Sequence, residues 1–506
     1  MKQPNILLLF TDQQRFDTIA ALGNPVIKTP AMDRIVREGV AFTSAYSPSP
    51  VCVPARCSLH YGQYPMRTGC YDNPFVMPDD RPSFMQLLTD AGYRTHGIGK
   101  CHFRRDAKAL RGFQSRETQE EEPPRASDDY TCFLEKEGWG ELPEPHAVRG
   151  EMYYVPQVSQ MPQRLHPTQW VGDRTVAFIE AQKDSGQPWF LFSSYVHPHP
   201  PFAPPVPWHK LYRSFDMPLP KVPQDVESLQ TYANRKQNRY KGRDQGIDNN
   251  LVRNIKAHYY ACISFVDYQV GRTLEALERT GQLANTLVLL TADHGEHLGD
   301  YNCFGKRSMH DSCARVPMLA WLPGRFDGGV RCDVPASLVD VMPTVLAAAG
   351  CDTAGAAMDG VDLLALLDGD AGREAVFSQY SRGATAIYTM VTERWKYAYS
   401  APDDREYLFD RRSDPGETRN RSGLPTTRLV VKQMRAKTIA WLAQGGETDA
   451  FEGDKWKVYP PTEVSTDPDA EFITQDRPGF VLDLPGYTDA GADLDGGSPA
   501  ESEVRV

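Results

Sequence analysis

Long apolar runs are missing from this 506-residue chain. None approaches the roughly 18 residues that a membrane-spanning helix needs, so no such span is expected. Basic residues are not in excess: 55 Lys and Arg stand against 66 Asp and Glu, a net charge of −11. That balance argues against a general nucleic-acid binder and offers no polybasic patch to a membrane. An anionic small substrate stays compatible, because a local cationic pocket can sit in an acidic protein. None of the ten cysteines, at 52, 57, 70, 101, 132, 262, 303, 313, 332 and 351, forms a Cys-x-x-Cys pair. A zinc ribbon and a thioredoxin-like motif are thereby excluded. Fixed-period repeats and low-complexity tracts are also absent. The N-terminal segment has too short an apolar stretch for a signal peptide, and polar Thr11-Asp12-Gln13-Gln14 follows where small cleavage-site residues belong. The expectation is a cytoplasmic chain with free, mostly buried thiols.

What is present suits a large core. Hydrophobic residues make up 41% of the chain, with 21 Phe and 23 Tyr. The first 350 residues alternate short apolar runs with helix-period segments, the α/β pattern, and residues 1–370 read as one large α/β domain. Asn5–Phe10, Trp189–Val196 and Thr286–Thr291 read as buried strands. Thr29–Gly39 reads as a helix with Thr29 as cap and Pro30 in first position. Ser83–Gly92 opens on a capping-box pattern, Ser83 to Gln86. Leu251–Arg279 carries apolar residues at spacings of three and four, a long helix. Residues 371–450 change character: Ala375–Tyr380, Ala386–Glu393, Trp395–Ser400 and Glu406–Asp410 read as antiparallel strands, and Thr426–Leu442 as a helix. This is a small α+β domain. Residues 451–506 are acidic and rich in Pro, Gly and Asp, an extended tail or arm. Residues 103–170 form a long polar insertion, and loops of that length are usually functional.

Several buried-strand candidates end in polar or ionisable groups. Asn5–Phe10 leads to Asp12, Arg94–Gly99 to Lys100 and His102, Trp189–Val196 to His197 and His199, and Thr286–Thr291 to Asp293 and His294. In open α/β sheets ligands bind beyond the carboxyl ends of the strands, so these side chains could build one site. Carboxylates and imidazole suit a divalent metal. Lys and His beside them suit a bound oxyanion and proton transfer. Taken singly, each has a plainer reading: Asp as a helix cap, His as loop support, Lys as a solvated charge.

Residues 47–63, SPSPVCVPARCSLHYGQ, carry a more specific signal. Cys52-Val53-Pro54-Ala55-Arg56, with Ser58, Leu59 and Gly62, resembles the signature of the sulfatase family, in which the cysteine is oxidised to Cα-formylglycine by a dedicated enzyme. Asn5–Gln13, Gly99-Lys100-Cys101-His102, His197–Phe202, TADHGEHLGD from Thr291, Gly305-Lys306 with Arg315-Val316-Pro317, and LFDRRSDPGE from Leu408 resemble further family motifs, in order. Gln13 stands where many sulfatases have a second aspartate. Asp293-His294 replaces the commoner Asp-Asn, and Tyr71-Asp72-Asn73 is similar to choline sulfatases. The likeness is therefore to the choline-sulfatase and phosphonate monoester hydrolase branch.

The resemblance implies an alkaline-phosphatase-like three-layer α/β sandwich with a large mixed, mostly parallel sheet, followed by the small C-terminal antiparallel domain. It implies one divalent cation, Ca2+ foremost with Mn2+ or Mg2+ as alternatives, held by Asp12, Cys52, Asp293 and His294. Hydrated formylglycine at position 52 would attack sulfur, aided by Arg56, through a covalent hemiacetal sulfate. Lys100 and Lys306 would neutralise the non-bridging oxygens. His199 or Lys306 would protonate the leaving oxygen, His102 would take a proton from the second hydroxyl, and Asn73 would lie at the substrate oxyanion. The expected activity is sulfate monoester hydrolysis of the arylsulfatase type, with a phosphonate monoester or phosphodiester as the alternative. A formylglycine-generating enzyme and a small anionic ester are the expected partners, and the tail suggests a homo-oligomer. Among the rest, Cys57 and Cys101 read as packing, His96 and His197 as structural, and His310-Asp311 as either a site-edge or a surface pair.

Overall fold

The computed structural model describes residues 3–464 except 104–105, 122–127, 143, 150–152, 241–247 and 352–356. The tail expected from 451 lies outside the described residues from 465 onward.

Eight strands form the main sheet. In chain order they are β1 (Asn5–Thr11), β2 (Val40–Phe42), β3 (Arg94–Gly99), β4 (Ser115–Thr118), β5 (Trp189–Tyr195), β6 (Thr286–Ala292), β7 (Met318–Trp321) and β8 (Val330–Cys332). Their spatial order is β4-β3-β5-β1-β6-β7-β2-β8. All neighbours pair in parallel except at β7, which runs antiparallel to both β6 and β2.

Alternation along β1 builds the layers. Leu7 and Leu9 enter one core and Ile6, Leu8 and Phe10 the other. Strand side chains alternate between faces, so a strand apolar throughout must be covered on both sides. The first face is covered by α1 (Pro30–Glu38), by Pro167–Ala181 and by Asn249–Arg279; the second by α2 (Cys52–Tyr61), by Phe84–Asp90 and by Val341–Ala349. This is the expected three-layer sandwich.

The helix starts differ in detail from the sequence reading. Ser83 Oγ accepts from Gln86 N at 3.2 Å, while the Gln86 amide turns to Asp90, so half of the capping box forms. Thr29 makes no cap bond to its helix. Asp267, on the long helix, instead accepts from Ala31 N at 3.1 Å and Met32 N at 2.7 Å. The 103–170 insertion is not all loop: it adds β4 at the sheet edge and a helix, Asp129–Lys136.

The small domain is a four-stranded antiparallel meander of β9 (Ala375–Tyr380), β10 (Ile387–Thr392), β11 (Trp395–Ser400) and β12 (Arg405–Asp410). One face packs on the helix Arg428–Gln444. The other buries Ile387, Ala398, Tyr407 and Phe409 against Tyr301, Cys303 and Met309 of the main body. Residues 451–456, the start of the segment read as a tail or arm, pair as two short strands against this domain. Trp456 stacks on Tyr399 at 4.4 Å and donates to Tyr397 Oη at 2.6 Å. Among the described residues, no helix is long and apolar enough to cross a membrane.

Candidate active site and metal centre

Strands β3, β5, β1 and β6 are adjacent and parallel. Their carboxyl ends therefore deliver Lys100, His199, Asp12 and Asp293-His294 to one place. The turn after β3 needs glycine at 99. Its φ is 88°, and a Cβ there would lie 2.0 Å from Ser194 O. Gln13 leaves β1 with φ 66°, and its N–H donates to Asp293 Oδ1 at 2.9 Å, tying two strand ends together.

Helix α2 brings Cys52 from the second layer. All ten of its residues are buried, and Asn73 Oδ1 accepts from Val53 N at 3.1 Å in the first turn. The Asn73 oxygen thus serves the helix start, which orients residue 52. Cys52 Sγ lies 2.8 Å from Lys306 Nζ, 3.3 Å from His294 Nε2 and 3.7 Å from Asp12 Oδ1. The possible donor atoms of Asp12, Cys52, Asp293 and His294 all lie within 4.8 Å of one another.

This donor set fits a divalent cation. Two buried carboxylates and an imidazole converge without bulk water, and such groups bind hard or borderline metals. Burial, and then the charge of Asp12, pushes the Asp293 carboxyl up to about 6. Asp12 goes the other way: burial opposes its charge, but Lys100, His199, Arg56 and Lys306 hold it well below the usual carboxylate range. Burial pushes the Cys52 thiol up to about 12. Burial, reinforced by Lys306, holds the His294 ring well below the usual imidazole range, which leaves its lone pair for a ligand role.

Arg56 is completely buried and its bonds run to the frame of the site. It donates to Asp293 Oδ2 at 3.2 Å, Asp12 Oδ2 at 3.0 Å, Lys100 O at 2.6 Å and Ser194 Oγ at 3.2 Å. These bonds fix both carboxylates of the donor cluster against the Arg56 guanidinium. Lys100 Nζ sits 2.7 Å from Asp12 and 2.5 Å from Glu121. Lys306 Nζ spends its other bonds on Gln13 Oε1 at 3.1 Å and His199 Nε2 at 3.2 Å. Gln13 is held in turn by the buried Glu296 and by Tyr154, its Nε2 lying 3.3 Å from Tyr154 Oη. His102 is half-buried with φ 59°, and its Nδ1 has no hydrogen-bond partner. Burial, then the charge of Lys100, holds its ring well below the usual range.

Sequence reasoning missed Glu121, Arg149, Tyr154 and Glu296. Glu296 lies three residues past Asp293 in the same motif, a signal that spacing offered. Glu121 lies in an acidic run that reads as a solvated face. The pair His310-Asp311 proves to be neither site edge nor surface. His310 is fully buried and stacks on Tyr301 at 3.9 Å, and Asp311 joins an ion cluster with Lys396 and Glu417 of the small domain. His96 bonds to Ser115 and Glu117 and stacks on Phe178; His197 bonds to Thr168. Cys57 and Cys101 are buried, and Cys52 and Cys57 are not bonded to each other.

The sulfatase family model matches residues 4–351, and a model of the N-sulphoglucosamine sulphohydrolase C-terminal region matches residues 299–444. An arylsulfatase from Clostridium perfringens is 30% identical over 487 residues, covering 90% of this chain and 98% of that protein. A choline-sulfatase from Rhizobium meliloti is 30% identical over 482 residues, covering 90% of this chain and 91% of that protein. In fold, the chain superposes on the crystal structure of phosphonate monoester hydrolase from Agrobacterium radiobacter with a TM-score of 0.73, at 23% identity, covering 87% of this chain and 96% of the other. The family match spans every strand end that carries the polar cluster, and it places the chain in the sulfatase family of the alkaline phosphatase superfamily, as a sulfuric ester hydrolase.

Proposed function

We propose that the chain hydrolyses small sulfate monoesters, aryl sulfates among them, with residue 52 carried as Cα-formylglycine and one divalent cation held by Asp12, Asp293, His294 and residue 52. One observation carries this reading: Cys52 Sγ lies within 2.8 Å of Lys306 Nζ and 3.3 Å of His294 Nε2, inside the four-donor cluster. The hydrated aldehyde would supply an oxygen nucleophile in place of the thiol, and a cation, with Ca2+ favoured over Mn2+ or Mg2+, would supply Lewis-acid polarisation of the ester oxygens.

The side chains of the chain itself divide the remaining work. Asp12 and Glu121 occupy two N–H groups of Lys100, leaving the third for a non-bridging oxygen. Lys306 donates to His199 Nε2, so the neutral His199 ring carries its proton on Nδ1, 2.8 Å from Pro200 O. The proton nearest the departing oxygen is then on Lys306, and the lone pair of His199 Nε2 orients that ammonium. His102, whose Nδ1 is unbonded, would take the proton from the second oxygen of the hydrated aldehyde. Asn73 orients the helix that presents residue 52.

The Cys52–Arg56 segment is wholly buried, so a formylglycine-generating enzyme must act on it before the chain folds. Phosphonate monoesters and phosphodiesters form the second reading. They carry the same single charge at the reacting centre, and the Agrobacterium radiobacter hydrolase shares the fold. Mass spectrometry of the peptide containing residue 52 tests the nucleophile: active protein with only unmodified cysteine would refute it. Catalytic efficiency on 4-nitrophenyl sulfate against a matched 4-nitrophenyl phosphonate ranks the substrates, and a large preference for the phosphonate would make phosphonate hydrolysis the leading activity.

A further inference from the structure

An anion sits where an anion-binding site has least use for one. Glu121, from the 103–170 insertion, projects a nearly buried carboxylate between two of the groups assigned above to the reaction. Its Oε2 accepts from Lys100 Nζ at 2.5 Å, and its Oε1 lies 3.1 Å from His199 Nδ1 and 2.5 Å from Arg149 Nη2. Arg149 stacks over Tyr153 at 5.5 Å, and Tyr153 Oη lies 3.5 Å from His199 Nε2. The His199 ring thus has Pro200 O and Glu121 on its Nδ1 side, at 2.8 and 3.1 Å, and Lys306 on its Nε2 side.

A carboxylate here repels an incoming sulfate oxygen through a low-dielectric interior. It therefore weakens ground-state binding, and its contribution has to lie elsewhere. Lys100 and His199 are otherwise anchored to different strand ends, and among the described residues Glu121 is the carboxylate within ion-pair distance of both. We infer that Glu121 is a positioning residue that clamps Lys100 and His199 in register: it leaves one Lys100 N–H for the substrate and turns His199 Nε2 toward Lys306 and the leaving oxygen. The inference rests on the hydrolase reading above for the reaction it serves, but the clamp itself is a statement about geometry and charge. Groups that must be held to within about 0.5 Å of productive geometry are commonly fixed by such supporting contacts.

The test uses full-length Glu121→Gln and Glu121→Asp, with conversion of residue 52 matched to wild type by mass spectrometry. Two measurements are made: kcat and KM on aryl sulfates with leaving phenols of increasing pKa, and calorimetric affinity for inorganic sulfate. In Glu121→Gln, kcat should fall at least tenfold, and the loss should grow with leaving-group pKa because protonation of the poor leaving group suffers most. KM should stay within threefold. Inorganic sulfate should bind at least threefold tighter, since one opposing charge is gone. Glu121→Asp should recover part of kcat. A uniform loss across leaving groups, with sulfate binding unchanged or weaker, overturns the proposal and marks Glu121 as a structural counter-ion. If wild type hydrolyses no sulfate ester, the hydrolase reading fails, while tighter sulfate binding by Glu121→Gln still supports the clamp and unchanged or weaker binding still overturns it.

Discussion

Replacing Lys396 with Met should loosen the small domain from the catalytic body. Lys396, on β11, is fully buried and lies 2.7 Å from Asp311 Oδ1 and 2.6 Å from Glu417 Oε1. Asp311 follows Lys306 by five residues, so this cluster anchors the loop that carries the ammonium proposed above to serve the reaction. At an effective dielectric of about 20, each of these attractions is roughly 6 kcal/mol before desolvation. Taking each ion out of water costs several kcal/mol, so the intact cluster contributes little net stability. Removing the shared cation is different, because two buried carboxylates then keep one full cation, Arg315 at 3.3 Å from Asp311, beside the neutral donors Tyr46 Oη to Asp311 at 2.9 Å and Asp311 N to Glu417 Oε2 at 2.7 Å. The expected cost is about 3–5 kcal/mol. Urea titration followed by tryptophan fluorescence reads it, since Trp395, Trp441 and Trp456 all lie in the small domain. The first transition should move to lower urea in Lys396→Met, and Lys396→Met/Asp311→Asn/Glu417→Gln should regain most of the loss. A single variant as stable as wild type would refute the assignment of Lys396 as the ion that makes this interface tolerable.

Other consequences follow from the site and its supports. Lys306→Ala should lower kcat/KM for an aryl sulfate by about 10²–10³-fold with residue 52 still converted, as loss of one transition-state donor generally does; steady-state kinetics on mass-verified protein checks this. A chelator should abolish hydrolysis and lower the melting temperature, and titrating Ca2+, Mn2+ or Mg2+ back should restore both, stabilising by about 2.7 kcal/mol at a hundredfold excess over Kd. Burial raises the folded-state Asp267 carboxyl to about 7. Between about pH 4 and 7 the native state therefore holds a proton that the unfolded state has released, and stability falls as pH rises through that window, by at most about 4 kcal/mol. Melting curves from pH 5 to 8 should be flatter for Asp267→Asn than for wild type.

The parts of the fold that sequence reading recovers are those with local grammar. Asn5–Thr11 is a short apolar run closed by polar residues, too short for a typical core helix, and it is a buried parallel strand. The strand-end rule then brings Asp12, Lys100, His199 and Asp293 together without any coordinate. The small domain was legible for a related reason: its strands are short and separated by turn residues. What stayed hidden depends on chain segments that meet across long separations. Asp267 caps α1 from 235 and 236 residues away, a place where Thr29 looked sufficient. His310-Asp311 reads as a site-edge or surface pair in sequence because its partners, Lys396 and Glu417, belong to another domain.

The charge of the site shows why such hidden residues matter. Arg56, Lys100 and Lys306 read from sequence as a cationic pocket that reverses the net −11 locally. In the fold, Arg56 is bonded to both Asp12 and Asp293, Lys100 to Asp12 and Glu121, and only Lys306 has no carboxylate among its three partners. Counting also Arg149 on Glu121 and Glu296 on Gln13, four cations face four acidic side chains, and these charges nearly cancel. An anionic ester is therefore not attracted by surplus positive charge on the chain. Its binding has to draw on directed N–H groups of Lys100 and Lys306 and on the divalent cation proposed for the Asp12, Asp293 and His294 pocket. The same balance explains the sign expected for Glu121→Gln: with cations and anions this evenly matched, removal of one carboxylate shifts the local field by a full charge toward sulfate, while the alignment that uses the field is lost.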